Sequence, residues 1–184
     1  RARLREEVTA DQAFLVDGRV SLWERYVAFI RATKPVGLLM ENVPDILNHG
    51  GTNVAELVSK SLAEEGYDVA YTLLNSVWYG VPQMRERMIL VGFHRSTGIK
   101  PRFPVPTHHL VLPSGYASSK NAARRVLKAE GSAHHRWIPD PAPDSPAATS
   151  ASEALADLPH LYAEEMLRTG AIRRGAKNPS EPVD

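Results

Sequence analysis

Two short runs hold side chains whose types and spacing could do chemistry. In Met40-Glu41-Asn42-Val43-Pro44-Asp45, a carboxylate and an amide follow directly on the apolar run from Val36 to Met40. In the run YGVPQMRER, from Tyr79 to Arg87, Gln83, Arg85 and Arg87 fall at alternate positions. A carboxyl group in a cleft can give or take a proton. Two guanidinium groups beside an amide suit a planar or anionic partner. Each run also has a plainer reading. Glu41 could cap a loop or pair with a nearby arginine, because structural ion pairs also occur in clefts. Arg85, Glu86 and Arg87 could be the charges that keep a sheet edge from aggregating. The preceding Tyr-Gly-Val-Pro-Gln weakens that second reading. The chain has no cysteine, which excludes a cysteine nucleophile, a disulfide and a zinc thiolate site within these residues.

The surrounding elements must hold both runs in place. From Val20 to Thr33, Leu22, Trp23, Tyr26, Val27, Phe29 and Ile30 recur at helical spacing, and Lys34-Pro35 ends the helix. Val36 to Met40 reads as a strand buried on both faces, as in parallel sheets. Glu41 then stands at the carboxyl end of a strand, where open α/β sheets hold ligands. A second helix starts at an Asn53/Glu56 N-cap pattern, buries Val54, Leu57, Val58 and Leu62, and stops at Gly66. The runs YDVAYTLL and RMILVGF are strand-like. If the second strand includes the QMRER run, Gln83, Arg85 and Arg87 share one face of it. The order helix, strand, helix, strand, loop, strand is the second half of a doubly wound α/β sheet, with one antiparallel edge strand.

After Phe103 the composition changes. An irregular Pro-rich segment follows, with prolines at 139, 141, 143 and 146. It is interrupted by a candidate basic helix, SSKNAARRVLKAEG. The run SASEALADLPHL reads as a short helix capped by Ser150 or Ser152 and ended by Pro159. The expected organisation is a catalytic part over residues 1–107, a Pro-rich insertion or linker over 108–150, and a lead-in to a further region over 151–184.

These segments, in this order, resemble the cytosine-5 DNA methyltransferase family. Glu41-Asn42-Val43-Pro44 is similar to its Glu-Asn-Val motif, and Gln83-Met84-Arg85-Glu86-Arg87 to its Gln-x-Arg-x-Arg motif, with Tyr79-Gly80-Val81-Pro82 upstream. The helix SLWERYVAFIRATKP, the link RFPVPTH and the run SASEALADLPHL also match, so the resemblance spans roughly Gly18 to Pro159. It implies a Rossmann-like methyltransferase sheet, S-adenosylmethionine as methyl donor, and duplex DNA with a flipped cytosine as substrate. It implies that Glu41 is the acid at cytosine N3, that Arg87 stabilises charge at O2, that Arg85 supports the site or the flipped nucleotide's phosphate, and that Asn42 holds the loop. Leu22 is similar to a position lining the donor site. Gln83 and the basic pair Arg173 and Arg174, with Lys177 beyond, are the expected DNA contacts.

The same resemblance places the Pro-Cys motif and the cofactor loop before residue 1. Three readings follow: part of a longer enzyme, one piece of a split enzyme completed by a second chain, or a noncatalytic scaffold. A bacterial modification or phage-defence enzyme, cytoplasmic and nucleoid-associated, is the family-level expectation. A net charge of +1 gives no global basic field, though a local basic groove is compatible with it. No apolar run approaches the roughly 20 residues of a membrane helix. The pairs His108-His109 and His134-His135 are adjacent histidines, which usually diverge, so no metal site is expected.

Overall fold

The structure, a computed structural model, describes residues 22–110, 127, 132–158 and 162–172. The chain divides into two units between Thr149 and Ser150.

In the first unit, helix α1 spans Leu22–Thr33 and buries Val27 and Ile30. Its end is sharp. Lys34 takes a left-handed φ of 46°, and Pro35 follows. Strand β1 covers Gly37–Asn42 and runs into a 3-10 turn, Pro44–Asn48. Helix α2 covers Val54–Glu64, and the Asn53 side chain accepts the Glu56 N–H at 3.1 Å. A cap of this kind contributes about 1 kcal/mol. Gly66, at φ 92°, reverses the chain into β2, Tyr67–Asn75. A 3-10 turn, Ser76–Tyr79, and a loop lead into β3, Glu86–His94.

The three strands form one sheet in the order β1-β3-β2, with β3 antiparallel to both neighbours. The expected antiparallel strand is therefore present, but it lies between the other two rather than at the edge. The carboxyl ends of β1 and β2 and the start of β3 meet at one end of the sheet.

One face is the core. Leu38 of β1, Val69, Tyr71 and Leu73 of β2, and Met88 and Leu90 of β3 pack there against Val27, Ile30, Val58 and Leu62, with Leu127 joining them. The other face is only partly covered among the described residues, and Leu39 is 64% exposed there. The expectation that β1 is buried on both faces is thus corrected. A run of apolar residues says that a strand has little polar surface, not that a second layer lies over it.

The outer edge of β2 is closed by a returning segment. The Tyr71 N–H donates to His134 O at 3.1 Å, the Arg136 N–H to Tyr71 O at 2.9 Å, and Thr72 Oγ1 to Arg136 O at 2.7 Å. Glu56 fixes this return from α2. Its carboxylate accepts from His134 Nδ1 at 2.9 Å, from Tyr71 Oη at 3.1 Å and from the His134 N–H at 3.4 Å. Glu56 therefore does not complete a reciprocal box with Asn53, as its spacing suggested. It spends its oxygens on a long-range contact.

The second unit holds α3, Ala151–Ala154, and α4, Ala163–Arg168. Ser150 is the cap of α3, in a reciprocal box with Glu153. Helix α4 was not anticipated from the sequence, because six residues are too few to show a periodic face. Arg173, Arg174 and Lys177, Pro159, and all of the candidate basic helix except Leu127 lie outside the described residues.

Candidate active site

The site is assembled where the end of β1 meets the beginning of β3. Glu41 and Asn42 are the last two residues of β1 itself, not residues that follow it. The register pairs Glu41 with Ile89 and Asn42 with Met88. Arg87 lies two residues from Ile89, on the same face as Glu41, and a diagonal pair of that kind is within reach of long side chains. Arg87 Nε sits 2.8 Å from Glu41 Oε1, and Arg85 Nη2 3.8 Å from the same oxygen. Arg87 also donates from Nη1 to the Glu86 carbonyl at 2.7 Å, which restrains its guanidinium.

This cluster stays wet. The Glu41 side chain is 46% exposed, Arg85 50% and Arg87 24%. An ion pair at that exposure stabilises a fold by about 0–1 kcal/mol. Packing alone gives little reason to gather three charges here. What the arrangement offers chemically is a carboxyl group flanked by guanidinium donors and open to an incoming planar group.

Strand β3 begins only at Glu86, so Gln83, Met84 and Arg85 belong to the loop before it. The expected sharing of one strand face by Gln83, Arg85 and Arg87 is corrected accordingly. Gln83 is exposed and held by its backbone: its N–H donates to Val81 O at 2.7 Å and its carbonyl accepts from Ser76 Oγ at 2.6 Å. The loop is tied on the other side too. Trp78 O accepts from the N–H groups of Thr107 and His108, at 2.9 and 3.0 Å, and Tyr79 Oη donates to Pro104 O at 3.0 Å. Gly80 turns the chain at φ 83°, with the His108 ring 2.9 Å from where a Cβ would stand.

Strand alternation sends Asn42 to the opposite face from Glu41. Asn42 Oδ1 accepts the Val43 N–H at 2.8 Å, which shapes the strand exit. Together with Leu22, Trp23, Tyr26, Met40 and Asp45 it lines a cavity of roughly 500 Å³. The structure thus brings Leu22 to Asn42 on one face, and Glu41 to Arg85 and Arg87 on the other. Trp23 was singled out in the sequence only as a helix-face residue. Its buried Nε1 has no partner among the described residues.

The histidine pairs diverge. His134 turns to Glu56, while the His135 ring packs edge-on against Tyr71 and Trp137. His108 bonds Thr107, and His109 reaches the Ser145 carbonyl. Among the described residues no group of three His, Asp or Glu side chains is placed to hold a metal ion, and no helix is long and apolar enough to cross a membrane.

A sheet end carrying an acid and two arginines, fed by a Tyr-Gly-Val-Pro-Gln loop, is accompanied by a family match over most of the chain. The profile of the C-5 cytosine-specific DNA methylase family matches residues 9–162, and the chain belongs to that family. A protein of Oceanobacillus iheyensis is 28% identical over 148 residues, which cover 79% of this chain and 32% of that one. The type II methyltransferase M.HgiCII of Herpetosiphon aurantiacus is 35% identical over 98 residues, 53% of this chain and 22% of the relative. M.MthTI, a type II methyltransferase of Methanothermobacter thermautotrophicus, is 34% identical over 95 residues, 52% of this chain and 29% of the relative. The chain therefore spans about a third or less of the length of these relatives.

Proposed function

We propose that these residues form part of the catalytic domain of a DNA (cytosine-5)-methyltransferase, which moves a methyl group from S-adenosylmethionine to carbon 5 of a flipped cytosine in duplex DNA. The observation that carries this reading is the contact between Glu41 and Arg87, 2.8 Å apart at the joined ends of β1 and β3, in a chain of this family. N3 and O2 are neighbouring positions on a cytosine ring, so an acid for one and a cation for the other must themselves be neighbours.

Carbon 5 is a poor nucleophile until a thiolate adds to carbon 6. Electrons then move onto N3 and O2. Glu41 donates its proton to N3 and accepts from the exocyclic amine. Arg87 hydrogen-bonds O2, as an oxyanion donor does. The incoming O2 takes the place of Glu41 as a partner of Arg87. Carbon 5, now nucleophilic, takes the methyl group. Loss of the carbon 5 proton to a base, expulsion of the thiolate and return of the N3 proton to the Glu41 carboxylate restore the ring. S-adenosylmethionine supplies the methyl group as an electrophile on sulfonium sulfur. The apolar walls formed by Leu22 and Trp23, the indole N–H without a partner among the described residues, and the polar Asn42 and Asp45 suit a molecule with a flat ring and polar ends.

The thiolate comes from outside these 184 residues, which hold no cysteine. It belongs to a longer protein or to a second chain. Gln83, with Arg173 and Arg174, contacts DNA, and the target base leaves the stack to reach Glu41. In this reading residues 1–107 are catalytic, 108–150 an insertion and 151–184 the lead-in to target recognition. The setting is the cytoplasmic modification arm of a restriction or phage-defence system, as the type II names of the relatives suggest.

The lack of cysteine favours one alternative, a noncatalytic DNA-binding or assembly subunit. Methyl transfer from labelled S-adenosylmethionine to duplex DNA by the full-length protein, with any cysteine-bearing partner present, separates the two. We expect Glu41→Gln to lower kcat at least about 100-fold. Arg87→Ala should lower kcat by about 10²–10³ while leaving nonspecific DNA affinity nearly unchanged. Full activity in Glu41→Gln refutes the role given to Glu41. DNA binding without any transfer by the wild type selects the alternative.

A further inference from the structure

We infer that Asn75 is a positioning residue for Arg85. This rests on the reading of Arg85 as part of the site. Arg87 lies on β3 and is placed by the strand register. Arg85 is not on the strand, so something else must fix it.

Asn75 is the last residue of β2 and is 1% exposed. Its Oδ1 accepts two backbone N–H groups, from Val77 at 3.3 Å and from Arg85 at 3.2 Å. The Ser76 N–H returns to Arg85 O at 3.0 Å, so both backbone groups of Arg85 are held from the end of β2. One amide oxygen thus spans the mouth of the whole 76–85 excursion and sets the point from which the Arg85 side chain leaves for Glu41.

The other half of the Asn75 amide, Nδ2, is buried with no partner among the described residues. An unmade buried hydrogen bond costs a fold stability. The oxygen is therefore the half of the amide that holds the loop. An aspartate keeps that oxygen and an alanine does not.

The test compares Asn75→Ala, Arg85→Ala and the double variant in the full-length protein, in the same methyl-transfer assay. If Asn75 acts through Arg85, Asn75→Ala changes the same parameter as Arg85→Ala, kcat or KM for DNA. Its kcat/KM loss should lie within threefold of that of Arg85→Ala, and the double variant no more than twofold below the worse single. Losses that multiply in the double variant overturn the inference, because independent effects add in free energy. A second variant covers the case in which Asn75→Ala does not fold. Asn75→Asp should keep the wild-type parameters to within threefold, and a folded Asn75→Asp protein as impaired as Arg85→Ala also overturns the inference. Failure of the underlying reading looks different: Arg85→Ala alone would then have no effect.

Discussion

His135 should make the protein lose stability in mild acid. Its ring is 8% exposed, 5.4 Å from the Tyr71 ring and 4.4 Å from that of Trp137. Burial pushes its pKa down from 6.5 to about 4; the neighbouring Arg136 acts in the same direction, and Glu56 opposes them. The folded pKa is thus depressed. As pH falls through about 6.5, the unfolded chain takes up a proton that the folded chain refuses. This contribution to stability is whole above about pH 6.5 and is lost progressively down to about pH 4. At about 1.36 kcal/mol per pH unit, the loss is about 2 kcal/mol at pH 5 and about 3 kcal/mol in all. The perturbation is His135→Phe, which keeps a ring between Tyr71 and Trp137 but cannot titrate. Urea unfolding of the full-length protein, followed by tryptophan fluorescence at pH 8 and pH 5, gives both stabilities. The wild type should lose about 2 kcal/mol more than the variant between these pH values. An equal loss in the two proteins would show that His135 is not the group responsible.

Two further outcomes follow from the same framework. Glu56 is buried, which opposes ionisation, but its hydrogen bonds and charge contact with His134 and the Tyr71 hydroxyl hold its carboxyl below the ordinary range. Its contribution is present above about pH 4.5 and is lost as pH falls below that, so most of its loss comes at lower pH than that of His135. Glu56→Ala should cost about 2–4 kcal/mol in urea unfolding at pH 7 and free the 132–137 segment, seen as faster hydrogen exchange at the Arg136 amide. Gly80→Ala meets both a left-handed φ of 83° and a His108 ring atom at 2.9 Å. It should cost about 1–2 kcal/mol for the backbone alone. Adding His108→Ala should restore only the steric part, as a pair of thermal melts would show.

Local order was legible in the sequence because it depends on neighbours a few residues apart. The stop at Lys34-Pro35, the Asn53 cap, the turn at Gly66 and the cap at Ser150, one of two candidates, are all set by steric or hydrogen-bonding preferences within a turn of chain. The types and spacing of Glu41, Asn42, Arg85 and Arg87 made them candidates beside a plain ion-pair or sheet-edge reading, and the family resemblance gave them their expected roles. Tertiary structure alone decided what each faces. Only the antiparallel register of β1 against β3 brings Arg87 to Glu41, and only strand alternation sends Asn42 away to the cavity beside Leu22. Asn75 gave no signal and Glu56 only a local cap pattern, because an amide that holds Arg85 from ten residues away and a carboxylate that holds His134 from 78 away leave no short-range trace of those contacts. The apolar run of β1 carried the opposite lesson. Its composition permits burial on both faces, but whether a layer covers Leu39 depends on where other segments pack.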